Sequence, residues 1–190
     1  NKLSQWVNGI MEIPWNNYAK IPVNINSKHT EISNFLVNAR KCMDDVIYGQ
    51  TDTKEHITQI IAKMISNPKS VGNVFSVYGP MGTGKTTIIK EGMSKALGIP
   101  FSFISLGGTS DSSYLDGHSY TYEGSVPGRI VELLKLCKCM NPIFYFDELD
   151  KVSNTSKGQE IINLLIHLTD LSQNNNFQDK YYAGIPIDLS

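Results

Sequence analysis

An α/β fold, with a parallel sheet covered by helices, is predicted by three observations on this 190-residue chain. Short β-branched or aromatic runs alternate with longer stretches of helical apolar spacing, the pattern of strands joined by crossover helices. A glycine-rich run ending in Gly-Lys-Thr stands between one such strand and one such helix. A third apolar run, Ile143 to Phe146, ends in two consecutive acids, Asp147 and Glu148.

The elements follow in order. Residues 1–30 are irregular, with two tryptophans, Pro14, Pro22 and many polar residues, and read as a linker region. Within them, Trp6 and the Ile13-Pro14-Trp15 cluster suggest a helix that ends in a packed linker. Ile32, Phe35, Leu36, Ala39 and Met43 recur at helical spacing, and so do Ile57, Ile60, Ile61 and Met64. Between these two helices lies the apolar turn Val46-Ile47-Tyr48-Gly49. Val74 to Tyr78 reads as a strand, residues 85–97 as a helix and Phe101 to Leu106 as a second strand. Pro127 is expected to open a helix with Ile130, Leu133, Leu134 and Cys137 on one face. Ile143 to Phe146 is the third strand, and Ile161 to Leu168 the last helix.

Composition sets outer limits. A hydrophobic fraction of 41% can fill one domain core. With 17 basic and 18 acidic side chains the formal net charge is -1, which argues against nucleic acid as the main partner. No apolar run is long enough to span a bilayer, and the first residues lack a signal-peptide pattern. Cys42, Cys137 and Cys139 are an odd set without CxxC spacing, so reduced thiols in a reducing compartment are expected rather than a metal site. The sequon Asn154-Thr155-Ser156 then stays unmodified.

The chemistry concentrates in two places. Gly79-Pro80-Met81-Gly82-Thr83-Gly84-Lys85-Thr86 matches G-x-x-x-x-G-K-[ST] between a strand and a helix. Its glycines let backbone amides converge on phosphate oxygens, and the helix N-terminus adds its positive dipole end. Lys85 is expected to reach the β- and γ-phosphates of ATP and Thr86 to ligate Mg²⁺, with Thr87 next in the first helical turn. Asp147 at the end of its strand would hold the Mg²⁺ shell, and Glu148 would polarise a water for attack on the γ-phosphate. Together the two motifs predict an ATPase. Ser66-Asn67-Pro68-Lys69 fits S-x-x-K, but Pro68 puts it in a loop and no companion motif follows. His29, His56, His118 and His167 are scattered and read as surface or packing residues.

Further stretches resemble one family. "FSFISLGG" (101–108), "GHSYTYEGSVPGRI" (117–130), "NPIFYFDELDK" (141–151) and "QNNNFQDKY" (173–181) stand in the order and near the spacing found in the ATPase domain of Lon-type ATP-dependent proteases. The earlier "PWNNY" and "VIYGQ" and the phosphate-loop motif fall where that family has them too. Residues 117–130 are the most specific part of the likeness. The resemblance implies the end of an N-terminal region and a linker over residues 1–30 and an AAA+ large subdomain, incomplete at its C-terminus, over residues 31–190, with ATP and Mg²⁺ as cofactors. It also implies a homo-hexameric ring that pulls unfolded or damaged protein through a central pore. From the residues alone Tyr122 serves equally as a core residue or an exposed one; the resemblance implies a pore loop in which Tyr122 grips substrate beside Glu123. Gly117, Gly124 and Gly128 would let that loop tilt. Tyr48 and Gly49 match the family's turn near the adenine.

This chain departs from the family at Ser119-Tyr120, where two arginines are usual, and at Glu123, where an aliphatic residue is usual. A carboxylate beside the gripping ring is expected to alter substrate preference. The resemblance also implies that the sensor strand, the helical lid and the protease domain with its Ser–Lys dyad lie outside these residues, so that they form part of a longer chain. The function expected is the motor of an ATP-dependent serine protease in the cytoplasm or another reducing compartment such as the mitochondrial matrix; the Asn-, Ile- and Lys-rich usage fits a viral source as well as a cellular one. The alternatives are a chaperone, unfoldase or nucleotide-dependent scaffold without proteolysis and, third, a DNA-remodelling AAA+ protein.

Overall fold

A computed structural model describes residues 2–68, 74–109, 111–170 and 172–189. Lys69 of the S-x-x-K lookalike and Ser190 at the chain end lie outside them. The chain divides into two compact units, residues 19–101 and residues 1–18 with 102–190.

The first unit is helical. Helix α2 (His29–Val46) starts where the Glu31 carboxylate accepts the Lys28 amide at 3.2 Å, and it buries Ala39 and Met43. Helix α3 (Thr51–Ser66) buries Ile57, Ile61 and Ile65 on one face, the 3.6-residue period foreseen from the sequence. Residues 85–97 form one helical run, called α4 here. Only Lys85–Thr87 and Lys95–Leu97 are α-helical, while Ile88–Ser94 is a π-helical stretch. Its Ile88 and Ile89 are fully buried, and a Cβ on Gly92 would lie 2.9 Å from Met43 Cγ of α2. Gly92 is therefore what allows α2 and α4 to approach so closely.

The strand predicted for Val74 to Tyr78 is not formed. These residues have no regular structure, and Val74 and Tyr78 are exposed. A strand exists through its ladder, and the described residues of this unit offer no second strand for one. Local β propensity is too weak to act alone.

The second unit begins with helix α1 (Lys2–Met11), as the tryptophan cluster suggested, followed by the buried Ile13. Strands β1 (Phe101–Ser105) and β2 (Ile143–Asp147) pair in parallel. A short helix α5 (Ser113–Asp116), absent from the sequence reading, and helix α6 (Arg129–Cys137) lie between them in the chain. Pro127 does not open α6; it precedes Gly128, the N-cap residue, by one position. Helix α7 (Ser156–Thr169) starts five residues earlier than the apolar spacing indicated. Thr155 caps it, its hydroxyl accepting the Gly158 amide at 3.2 Å. The apolar core of this unit gathers Ile104, Leu106, Leu115, Ile130, Leu134 and Ile161, all essentially inaccessible.

A buried carboxylate ties three parts of this unit together. Asp179 is wholly inaccessible, and its two oxygens accept the amides of Gly128 at 2.7 Å and Tyr181 at 2.8 Å. Asp116 sits close by, paired with Lys180 Nζ at 2.9 Å. Burial pushes the Asp179 carboxyl up from 3.8 to about 6 despite these amide donors, and the Asp116 charge adds to the rise. A raised pKa means that the protonated acid favours the folded state. Its contribution to stability, at most about 3 kcal/mol, is complete below about pH 4, is lost as the pH climbs through 6 and is flat above. Denaturant midpoints from pH 4 to 7.5 are expected to fall with rising pH in the natural protein, with that slope missing in Asp179→Asn. Parallel profiles would contradict the assignment.

Candidate functional site

The phosphate-loop motif begins in the irregular segment before α4. Gly82 and Gly84 both take left-handed backbone, with φ of 76° and 82°. Gly84 has a second reason to lack a side chain, since a Cβ there would lie 2.6 Å from Ile47 Cδ1. The Thr83 hydroxyl donates to the Pro80 carbonyl at 2.9 Å, and the Gln50 amide donates to the Thr83 carbonyl. Lys85 folds back over the loop. Its ammonium donates to the carbonyls of Gly79 and Pro80, each at 2.8 Å. Met81 projects into solvent, and Thr86 and Thr87 follow Lys85 in the first turn of α4. A lysine ammonium, two threonine hydroxyls and the start of a helix form a donor set that suits phosphate.

In the same unit, residues 47–50 run past the loop. Gly49 and Gln50 are both left-handed, with φ of 70° and 51°, and Tyr48 is fully exposed. An open hollow of about 380 Å³ is lined by Asp44, Ile47, Tyr48, Gly49, Thr51 and Lys54. Its floor is fixed by Lys54, a buried lysine that sequence reasoning missed. The Lys54 ammonium reaches Asp44 Oδ1 at 2.8 Å and also bonds the Ile47 carbonyl. Lys54 beside Asp44 holds that carboxyl below the usual range. A lysine in the first turn of α3 carries no sequence signal of burial, so only the fold shows it turned inward.

The acidic pair lies at the end of β2 in the other unit. Asp147 is the last strand residue, and its carbonyl accepts the Leu106 amide at 3.0 Å. Its Oδ1 accepts the Glu148 amide at 3.0 Å. Glu148 is left-handed, with φ of 60°, which turns its side chain off the strand direction. The carboxylate is flanked by Ser105 at the end of β1, which donates to Oε2 at 3.2 Å, and by the Lys151 ammonium on Oε1. These partners, Lys151 first, hold the Glu148 carboxyl below its ordinary value. Gly107 makes room for it, because a Cβ there would overlap Oε2 at 1.9 Å. Ser105 and Gly107 are site residues that the sequence reading left unassigned.

Tyr122 and Glu123 sit at the tip of the segment between α5 and α6. Tyr122 is 68% exposed, so it is no core residue, and Glu123 is exposed beside it. The segment closes on itself. The His118 amide donates to Val126 at 3.2 Å, and a Cβ on Gly128 would lie 2.6 Å from the Gly117 nitrogen and 2.1 Å from the Leu115 carbonyl. Gly117 and Gly128 therefore make a close-packed neck rather than the hinges expected of them; Gly124, with φ of 73° and open space around it, is the free one. The departure at Ser119-Tyr120 has a local meaning. The Ser119 hydroxyl bonds that of Thr121 at 3.0 Å, while the Tyr120 ring packs edge-on against Trp6 and Tyr181.

Comparison with known proteins follows this geometry. The family model "ATPase family associated with various cellular activities (AAA)" matches residues 75–182, and "TIP49 P-loop domain" matches residues 25–113. A Lon protease homolog of Acanthamoeba polyphaga mimivirus is 41% identical over 197 residues, covering 100% of this chain and 19% of that protein. The Lon protease of Wolbachia pipientis subsp. Culex pipiens is 33% identical over 188 residues, covering 99% of this chain and 21% of the relative. The mitochondrial Lon protease homolog of Saccharomyces cerevisiae is 34% identical over 188 residues, covering 99% and 15%. The chain thus spans about a fifth or less of the length of these relatives. Among the described residues no helix is long and apolar enough to cross a membrane. With one family model matching more than half of it and Lon proteases aligning along all of it, the chain belongs to the AAA family of ATPases as a Lon-like member.

Proposed function

We propose that this chain is the ATP-driven motor of a Lon-like ATP-dependent serine protease, which unfolds protein substrates and threads them through a ring, a hexamer in the assembled form. The observation that carries this reading is the exposed Tyr122. It stands on a closed loop whose far limb runs through α6 into β2 and so to Asp147 and Glu148. One short stretch of chain thereby connects a surface ring suited to gripping any polypeptide with the acids suited to hydrolysis. The odd set Cys42, Cys137 and Cys139, without CxxC spacing, fits a reducing compartment such as the cytoplasm or the mitochondrial matrix.

The residues divide the work as follows. Residues 79–86 cradle the phosphates of ATP, and the turn at Tyr48 and Gly49 borders the adenine. Lys85 exchanges the carbonyls of Gly79 and Pro80 for β- and γ-phosphate oxygens and balances their charge. By their sequence motifs Thr86 would ligate Mg²⁺ and Asp147 would hold its shell, and the ion would neutralise charge on the γ-phosphoryl group. Glu148, ionised at neutral pH, turns from Lys151 to a water and accepts its proton. The water oxygen bonds to the γ-phosphorus as the bond to the β–γ bridging oxygen breaks. Tyr122 wedges against the substrate, and Glu123 disfavours acidic segments.

Three outcomes test this. Glu148→Gln is expected to lower ATP hydrolysis by roughly 10²–10⁴-fold with nucleotide affinity retained, measured by phosphate release and calorimetry. Hydrolysis at the natural rate would sink the motor reading. Lys85→Ala is expected to weaken ATP binding about tenfold or more. In the intact gene product, Glu123→Ile should speed turnover of apolar unfolded substrates, and an unchanged rate would show that Glu123 sets no preference.

A further inference from the structure

Helix α1 belongs to no part of the nucleotide chemistry, yet its side chains converge on the Tyr122 loop. Lys2 Nζ donates to the Tyr122 carbonyl at 2.7 Å and lies 4.7 Å above the centre of the Tyr120 ring. One turn on, the Trp6 ring meets Tyr120 edge-on with centroids 6.1 Å apart, and Trp6 Nε1 donates to the Tyr181 carbonyl at 2.8 Å. Tyr120 also meets Tyr181 edge-on at 5.6 Å, and its carbonyl accepts the Ser125 hydroxyl at 3.3 Å across the loop. The far end of α1 is anchored as well. Gly9 leaves the space that the Tyr182 hydroxyl fills, since a Cβ there would sit 2.2 Å from that oxygen, and Lys135 of α6 donates to the same hydroxyl at 3.0 Å.

The arrangement is one-sided in an informative way. Inside the segment, the Tyr122 amide donates to the Ser119 carbonyl at 3.1 Å and the Tyr122 carbonyl accepts the Ser125 amide at 3.4 Å, while Gly124 has open space around it and the Tyr122 ring is exposed. The neck and these turn bonds shape the segment from within. Helix α1 adds to them from outside with Lys2, through a charge-assisted bond to the Tyr122 carbonyl, and with Trp6, through its contact with the Tyr120 ring two residues before Tyr122.

We propose that α1 is a positioning element for the substrate-contacting loop: Lys2, together with Trp6 and Tyr120, sets the orientation in which Tyr122 meets an unfolded polypeptide. This rests on the reading of Tyr122 as a substrate contact. Lys2 and Tyr120 touch neither nucleotide nor substrate and act through the Tyr122 backbone. Their loss consequently acts on substrate engagement and leaves the phosphate chemistry alone.

The test uses the intact gene product and substrate-stimulated ATP hydrolysis, with a dye-labelled protein kept unfolded by reduction and carboxymethylation. Lys2→Met keeps the apolar stem and removes the charge. It is expected to raise the substrate concentration for half-maximal stimulation roughly three- to tenfold, with basal hydrolysis unchanged. Lys2→Arg should restore the natural value, which a merely structural loss would not predict. Tyr120→Leu, which keeps apolar bulk but no ring face, should behave like Lys2→Met. Tyr122→Ala runs alongside and separates the two claims. If Tyr122→Ala abolishes stimulation while Lys2→Met and Tyr120→Leu match the natural protein, the positioning role is overturned and the substrate contact stands. If Tyr122→Ala stimulates normally, the loop is no substrate contact and both claims fall. Equal loss of basal and stimulated hydrolysis in Lys2→Met and Tyr120→Leu also overturns the proposal.

Discussion

The bond from the Gly128 amide to the buried Asp179 carboxylate is the constraint on which the second unit depends. It satisfies a buried amide at the N-cap of α6, where an unpaired donor would be costly. It also brings residues 177–182 against the neck formed by Gly117 and Gly128, where neither position has room for a side chain. From this point the loop with Tyr122 runs one way and α6 the other, towards β2 and its acids. A displacement at Asp179 would therefore reach both the loop that carries Tyr122 and the helix that leads to β2.

The first unit obeys a different rule, close approach of helices through absent side chains. Gly84 admits Ile47 and Gly92 admits Met43, so that α2 lies tight against the start and middle of α4. The loop before α4 satisfies its own groups, Thr83 on Pro80 and Lys85 on Gly79 and Pro80. Glu148 is likewise engaged, by Lys151 and Ser105. Both ionic groups with proposed roles in hydrolysis thus rest on intramolecular partners that phosphate and water would replace. Such exchange of partners avoids leaving a charge unpaired at either stage.

Much of this was legible because its signals are local. The glycine spacing of residues 79–86 and the Asp-Glu ending of an apolar strand carry their chemistry in consecutive residues. The helical periods of α2, α3 and α6 also stand in the sequence. What escaped depends on distant partners. Asp179 looks like a surface acid in a polar run, and only the Gly128 amide, 51 residues away, gives it a role. Lys54 drew no notice in the sequence, and Tyr120 was a departure from the family pattern without a role until Trp6 and Tyr181 were seen around it. The strand expected at 74–78 failed for the same reason in reverse: its residues favour β structure, and the described residues of its unit supply no ladder.

The most direct measurement is covalent capture at the loop tip. Tyr122 is replaced by the photoreactive benzoylphenylalanine in the intact gene product, and the adducts formed on an unfolded protein are mapped by mass spectrometry with and without ATP. The account predicts ATP-dependent adducts distributed along the substrate chain, because a threaded polypeptide passes every segment across the ring. Adducts absent in both conditions, or confined to one substrate site regardless of ATP, would contradict it.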